Sequence, residues 1–176
     1  MDQPSDLPTA ANAPSGSPVL PDAAPEPQEP AVIRRKDYAP FAWRVPAIRL
    51  DFDLGIETTR VKATLTVEPN PDAEAEEEIR LDGDGLVLER VHVDGEERTD
   101  WRRDGEALIV PLGAGEHTLT IVTRILPSEN TQLMGLYASN GMLCTQCEAE
   151  GFRRITFFPD RPDGLSVYTV RMAADR

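Results

Sequence analysis

Apolar and polar residues alternate along most of the chain from Val45 onward. The two longest alternating stretches cover residues 48–54 and 61–67, and shorter ones lie at 79–81, 86–93, 117–125 and 168–172, while residues 108–112 form an apolar run typical of a core strand. Since successive side chains of a strand point to opposite faces, this period predicts strands with one buried and one wet face. No amphipathic helical stretch of ten residues stands out. The pattern therefore predicts a mostly β domain.

Turn residues separate the alternating stretches at intervals of about eight to twelve residues, which favours an antiparallel sandwich or curved sheet. The alternation changes phase between Leu88 and Val91, so we expect a β-bulge near Glu89 and Arg90. The tetrapeptide DGDG at residues 82–85 is typical of a hairpin turn. A calcium loop is the alternative, but the carboxylate that an EF-hand needs after its glycine is not matched.

The first thirty residues contain eight prolines and almost no large apolar side chains. Such a composition cannot offset the entropy of ordering, so residues 1–36 are predicted to be a disordered tail and residues 37–176 a β domain. A polyproline II ligand is the alternative, although flanking basic residues are missing. Basic residues at 34–36 are followed by the aromatic residues Tyr38, Phe41 and Trp43. This combination is compatible with a nucleic-acid-binding patch. We favour the alternative, in which the aromatic side chains pack the entering chain against the core.

Charge and cysteine content narrow the classes of partner. The formal net charge is −13, which repels phosphate backbones and anionic lipids. Nucleic acid and membrane surfaces are therefore not expected as partners. A cationic ligand is the expected partner of such a charge. No apolar run approaches the roughly 20 residues of a membrane span, and the N-terminal residues, without an early Lys or Arg or an apolar run, do not predict a signal peptide. The two cysteines are too few for a disulfide framework, which favours a cytoplasmic location.

Residues 143–163, with the sequence LCTQCEAEGFRRITFFPDRPD, hold the densest chemistry of the chain. Cys144 and Cys147 form C-x-x-C, but a zinc ribbon needs a second pair and a thioredoxin-type dithiol needs the start of a helix. In a strand, positions three apart face opposite sides, so two unrelated thiols are expected. The lone His92 and His117 are expected to be packed or solvated rather than metal ligands.

Gln146 and Glu148 would project from one face of an extended strand, roughly 6.6 Å apart along the chain. Together they offer an amide and a carboxylate to one small volume, which suits the free α-amino group of a peptide. The alternative is an ordinary polar strand face, with Glu148 paired to Arg153 or Arg154. Further on, a strand at residues 168–172 would leave an open sheet edge, which indicates an incomplete chain.

The segment CTQCEAEGFRRITFF, followed by DRPD, closely resembles the bacterial aminopeptidase N (alanyl aminopeptidase) family of zinc peptidases. The upstream segments AIRLDFDL at residues 47–54 and VHVDG at 91–95 stand in the order typical of that family. The resemblance covers residues 38–176. It implies the family's N-terminal β domain, a large, mostly antiparallel, saddle-like sheet that packs against a thermolysin-like catalytic domain.

The resemblance also implies roles for individual residues. Glu148 would bind the α-ammonium of a peptide substrate together with a glutamate from a G-A-M-E-N loop elsewhere, and Gln146 would line the first specificity pocket. A cis peptide bond is expected between Glu148 and Ala149. Zinc is expected as the cofactor of the full-length family enzyme, with no metal ligands and no catalytic residues in this chain.

Several family features are missing. The sequence contains no H-E-x-x-H and no G-A-M-E-N, and Gly164 stands where the family usually carries an aliphatic residue. Peptide hydrolysis needs a Lewis acid, an activated water and a base, so we expect this chain alone to be inactive. A substrate-recognition domain of a zinc aminopeptidase is the favoured function. The alternatives are a stand-alone β domain that captures amino termini and an inert gene fragment.

Overall fold

Residues 34–35 and 38–175 are described by the computed structural model. The predicted tail at 1–36 thus lies outside the described residues, apart from Arg34 and Arg35, whose side chains are exposed. Residues from Tyr38 onward belong to one compact unit. That unit contains every strand of the described chain.

Strands and turns make up almost all of the described chain, as the alternation predicts. The strands are β1 (Trp43–Leu54), β2 (Thr59–Pro69), β3 (Glu78–Leu81), β4 (Val87–Val93), β5 (Glu96–Glu97), β6 (Arg102–Asp104), β7 (Ala107–Pro111), β8 (His117–Ile125), β9 (Gly135–Ser139), β10 (Met142–Gln146) and β11 (Val167–Ala174). Short 3-10 helices occupy Pro127–Glu129 and Phe152–Arg154. No helix among the described residues is long and apolar enough to cross a membrane.

The strands form two main sheets and a hairpin. Six strands pair in the order β11-β1-β2-β8-β4-β5, three in the order β3-β7-β6, and β9 pairs with β10. The pair of β1 and β11 is parallel, and the other pairs are antiparallel. One buried apolar cluster draws side chains from both main sheets, including Leu65 and Ile121 of the larger and Ile79 and Leu108 of the smaller. The mostly β, largely antiparallel class is confirmed.

Two bulges interrupt the six-stranded sheet. The predicted bulge is confirmed, since the register of β4 against β8 shifts between Leu88 and Arg90. A second shift lies in β1, between Arg44 and Ala47. Pro46 lies within this second shift, and a proline has no N–H to donate to a neighbouring strand. The bulge lets both Val45 and Ile48 point into the core despite their odd spacing.

The hairpin predicted for residues 82–85 is wrong. The segment leaves β3 in the three-stranded sheet and enters β4 in the six-stranded sheet, so it is a crossover between sheets. Gly85 has a φ of +63°, as a turn glycine can, whereas Gly83 is needed for space. A Cβ at Gly83 would lie 2.3 Å from Cε1 of Phe157, whose ring is fully buried. The glycines correctly predict a sharp change of chain direction, but they do not predict whether the strands on either side pair with each other.

The two edges of the large sheet differ. At one edge, β5 has only two residues, both glutamates, which is a usual protection against unwanted pairing. At the other edge, β11 has eight residues, and Tyr168, Val170 and Met172 are 46 %, 50 % and 69 % exposed. The expected open edge is thus present in the described part of the chain, and this strand adds little to the core.

Candidate functional site

The hairpin of β9 and β10 carries Gln146 to the end of a strand. Asn140 and Gly141 connect the two strands with φ values of +50° and +78°, the conformation that tight hairpins favour. The register places Gln146 opposite Gly135. Before β9, the side-chain amide of Asn130 donates to the carbonyls of Met134 and Leu136, at 2.8 and 3.0 Å. The position of Gln146 is therefore tied to the loop that precedes the hairpin.

Glu148 lies in a turn rather than in the extended strand predicted from the alternation. Strand β10 ends at Gln146, and the N–H of Gly151 donates to the carbonyl of Cys147 at 2.9 Å, which closes the turn. A Cβ at Gly151 would lie 2.6 Å from the carbonyl oxygen of Gln146, so the chain folds back tightly here. The peptide bond between Glu148 and Ala149 is cis, as the resemblance implied.

The side chains of Gln146 and Glu148 are both exposed at this end of the hairpin. Among the described residues, Glu148 takes part in no ion pair and accepts no hydrogen bond. The two candidate partners, Arg153 and Arg154, are bonded to aspartates instead. The alternative in which Arg153 or Arg154 neutralises Glu148 is therefore wrong. An unpaired carboxylate at a tight turn is available to a cation.

Arg153 bonds to the loop after the 3-10 helix. Its backbone N–H and its Nε both donate to Oδ2 of Asp160, at 3.1 and 3.0 Å, and its Nη2 donates to the Asp160 carbonyl at 3.0 Å. Asp82 and Glu150 lie further from the guanidinium, at 3.9 and 3.6 Å. Burial lowers the pKa of Arg153, but the Asp160 hydrogen bond and the surrounding carboxylates outweigh burial and raise the pKa overall. The guanidinium thus stays charged.

Arg154 bonds to the crossover segment instead. Its Nη1 donates to Asp84 at 2.5 Å and to Gln132 at 3.1 Å. Its backbone also runs close to β9, because a Cβ at Gly135 would lie 2.6 Å from the Cβ of Arg154. The two neighbouring arginines therefore connect the 3-10 helix at Phe152–Arg154 to two other segments. Arg153 bonds to the loop at Asp160, and Arg154 bonds to the crossover at Asp84.

Aromatic rings and a buried threonine join this segment to the sheets. Phe152 contacts Phe158 edge to face at 5.1 Å and Tyr168 of β11 at 5.7 Å, centroid to centroid. The hydroxyl of Thr123 in β8 donates to the carbonyl of Ile155 at 3.3 Å. The turn that holds Glu148 is thus built on a rigid base, as a recognition site requires.

Both cysteines are free and half-buried. Cys144 lies in β10 and Cys147 in the turn that follows, in line with the expectation of two unrelated thiols. Burial, together with the charge of Asp160, raises the pKa of Cys147, which disfavours its thiolate at neutral pH. The surroundings of Cys147 therefore do not activate it as a nucleophile.

Metal-binding side chains do not converge in the part of the chain that the structure describes. Within residues 34–35 and 38–175, no three His, Cys, Asp or Glu side chains are grouped to hold an ion. Nδ1 of His117 lies 2.8 Å from Oδ2 of Asp94. His92 lies on β4, and among the described residues no carboxylate is bonded to its ring. The described residues therefore do not fit the zinc that the resemblance implies for the full-length enzyme.

A family comparison agrees with this architecture. The model of the Peptidase M1 N-terminal domain matches residues 38–176, which is most of the chain. This chain belongs to the M1 peptidase N-terminal domain family. Its two sheets, its hairpin and the turn at Glu148 are thus parts of an M1 N-terminal domain.

Curated relatives of this M1 N-terminal domain are much longer proteins. Aminopeptidase N of Caulobacter vibrioides is 43 % identical over 148 residues, which cover 83 % of this chain and 17 % of the relative. Aminopeptidase N of Escherichia coli K12 is 40 % identical over 149 residues, with 85 % and 17 % covered. The chain therefore spans about a sixth of the length of these relatives.

Solved structures show the same fold. Aminopeptidase A of Legionella pneumophila, in complex with aspartic acid, aligns with a TM-score of 0.71 and 28 % identity, over 78 % of this chain and 16 % of that one. A variant M1 zinc metallopeptidase of Deinococcus radiodurans, bound to a Tyr-Ser-Ala substrate, aligns with a TM-score of 0.63 and 22 % identity, over 76 % and 33 %. The second likeness concerns the fold alone.

Sequence reasoning missed the bonds that hold the site. Its alternative of an ordinary polar strand face paired Glu148 with Arg153 or Arg154, whereas these arginines bond to Asp160 and Asp84. A signal was present, since DGDG and DRPD supply acidic residues on rigid turns and the two adjacent arginines need partners. The pairing of Arg154 with Asp84, seventy residues apart in sequence, however, follows only from the packing of the crossover at Asp82 beside Phe158.

Proposed function

We propose that this M1 N-terminal domain supplies substrate recognition to a zinc-dependent aminopeptidase, which removes residues from the N-termini of peptides. Glu148 binds the free α-ammonium group of the peptide, and Gln146 lines the pocket for its first side chain. A thermolysin-like catalytic domain outside this chain carries the zinc and cleaves the bond. The curated relatives named aminopeptidase N and the Legionella aminopeptidase A in complex with aspartic acid support this proposal.

The observation that carries the proposal is the free carboxylate of Glu148. It is exposed, lies on a turn held by a rigid base, and has no ion-pair partner among the described residues. A primary ammonium offers three donors around a compact charge, which a carboxylate beside an amide can accept. Such a charge-assisted hydrogen bond contributes about 1.5–3 kcal/mol. The net charge of −13 would also attract a cationic peptide terminus.

The proposal is tested by comparing the peptide Tyr-Ser-Ala with its N-acetylated form, titrated into the chain and followed by NMR. The free amine should bind about tenfold to a hundredfold more tightly, since 1.4 kcal/mol corresponds to a factor of ten. Glu148→Gln should abolish this preference. The preference of the unmodified chain should also decline above about pH 8, where a peptide α-amino group loses its proton.

A matched control is Glu116→Gln, because Glu116 is also exposed but lies in the turn between β7 and β8. It removes the same charge from another part of the domain and should keep the preference for the free amine. Equal affinity of the unmodified chain for both peptides would refute the recognition role. A loss of preference in both variants would mean that only the overall negative field attracts the peptide.

The cytoplasm is the location that we propose for this domain. The two free thiols support it, because thiols persist in a reducing compartment. Mass spectrometry of the chain isolated from cells under alkylating conditions tests it. Both cysteines should be alkylated, and a disulfide or mixed disulfide would contradict the location.

A further inference from the structure

Three segments meet at Arg153, and the turn with Glu148 is one of them. Between Cys147 and Gly151, one backbone hydrogen bond closes the turn and Glu150 lies 3.6 Å from the guanidinium of Arg153, while Glu148 and Ala149 are exposed. The position of Glu148 therefore depends on what anchors the ends of the turn. Strand β10 anchors one end, and the 3-10 helix that contains Arg153 anchors the other.

Arg153 bonds to two other segments of the domain through its side chain and its backbone. Its side chain is 24 % exposed, and it donates to both the carboxylate and the carbonyl of Asp160. Its own backbone carbonyl accepts from the N–H of Asp84 at 3.0 Å. Asp160 in turn donates its N–H to the carboxylate of Asp82 at 3.2 Å. The turn, the loop at Asp160 and the crossover are thereby joined through one residue.

We propose that Arg153 is a positioning residue for peptide recognition, which fixes the turn so that the carboxylate of Glu148 faces an incoming α-ammonium group. This inference rests on the proposed function. The guanidinium of Arg153 bonds to Asp160 and lies 3.6 Å from Glu150, and among the described residues it forms no ion pair with Glu148. It therefore acts on the turn itself and does not compete for the carboxylate of Glu148.

The geometry requires arginine in particular. A guanidinium is a planar fork that can donate to the side chain and the carbonyl of Asp160 together, whereas the ammonium of lysine is a single point charge on a flexible stem. Arg153→Lys therefore keeps the charge among Asp82, Glu150 and Asp160 but loses the two-point attachment. The turn should then sample positions in which Glu148 is displaced.

The test measures the ratio of affinities for Tyr-Ser-Ala and its N-acetylated form in the Arg153→Lys variant. A displaced carboxylate loses part of its charge-assisted hydrogen bond to the ammonium group, which the acetylated peptide cannot make, so we expect the ratio to fall about tenfold. A purely structural role would lower both affinities through the folded fraction and leave the ratio unchanged. Thermal melts by circular dichroism establish the folded fraction of each variant.

Arg161→Lys is a matched control. Arg161 has a similar side-chain exposure of 34 %, and it also donates to a carboxylate and a carbonyl, those of Asp163 and Ala39. Among the described contacts it does not touch the turn at Glu148, so its replacement should leave the affinity ratio unchanged. Asp160→Asn, which keeps an acceptor but removes the charge, should lower the ratio in the same direction as Arg153→Lys.

The outcomes separate this inference from the proposed function. If the unmodified chain prefers the free amine and Arg153→Lys keeps the full preference, the positioning role is refuted while amine recognition stands. If the unmodified chain shows no preference, both are refuted. If Arg161→Lys lowers the ratio as much as Arg153→Lys, the effect is a general loss of rigidity and the specific role of Arg153 is refuted.

Discussion

Replacing Gly83 by alanine tests the packing beneath the candidate site. Gly83 lies in the crossover between β3 and β4, next to the residues that bond Arg153 and Arg154. An added Cβ would lie 2.3 and 2.6 Å from Cε1 and Cδ1 of Phe157, and 2.9 Å from the carbonyl oxygen of Glu106. Contacts this short between non-bonded atoms require a neighbour to move.

The expected cost follows from the limited room for such a movement. Phe157 is 0 % exposed, so its ring can shift only by displacing other core side chains. Overpacking of a core costs about 1–3 kcal/mol, and alanine returns about 0.4–1 kcal/mol by restricting the unfolded chain. Because the added Cβ would lie far inside the contact distance of a fully buried ring, we expect the upper end of this cost, so that Gly83→Ala lowers the free energy of unfolding by about 2 kcal/mol. For a domain of this size, that corresponds to a decrease in Tm of roughly 8 °C.

Urea denaturation of a double-mutant cycle with Phe157→Leu identifies the cause. Leucine lacks the ring edge that occupies the space beside Gly83, so Gly83→Ala should cost less than about 1 kcal/mol in that background. Gly95→Ala is the control, because a Cβ at Gly95 meets nothing within 4 Å and its φ is +87°. It should cost about 1–2 kcal/mol from backbone strain alone and add to Phe157→Leu without coupling.

Two results would refute this reasoning. If Gly83→Ala destabilises equally with phenylalanine or leucine at position 157, the clash with the ring is not the cause. If Gly83→Ala is neutral in the unmodified background, the crossover is looser than the contacts around Phe157 indicate. In either case the packing beneath the turn at Glu148 would not be a rigid base.

Two further predictions concern catalysis and pH. Purified chain supplied with zinc should not hydrolyse alanyl-p-nitroanilide detectably, because the sequence contains no H-E-x-x-H, and zinc-dependent turnover above the level of a mock purification would contradict this. The guanidinium of Arg161, aided by the Tyr38 hydroxyl, lowers the pKa of Asp163 to about 2. A lowered folded-state pKa gives stability that is present above the ordinary pKa near 3.9 and is lost as the pH falls toward about 2. The stability difference between the unmodified chain and Asp163→Asn, measured by urea denaturation, should therefore be constant above about pH 5 and shrink below pH 4, and an equal difference at pH 2 and pH 6 would contradict the assignment.

Local features of the fold could be predicted because their causes are local. The alternation that predicts β2 and β8 depends on which face of a strand each side chain takes, and both are strands. The bulge near Arg90 follows from a phase change within a few residues. The resemblance of residues 143–163 correctly implied the M1 family and the cis bond after Glu148.

Only the tertiary structure decided which parts of the chain meet. The DGDG segment reads as a hairpin turn in isolation, yet β3 and β4 belong to different sheets. Glu148 reads as a strand residue, but Gly151 closes a turn around it. Arg153 and Arg154 have glutamates nearby in sequence but bond to Asp160 and Asp84. The choice of sheet partner, and of Asp84 as the partner of Arg154, depends on contacts between residues far apart in sequence. A local pattern records only how each short segment is able to fold.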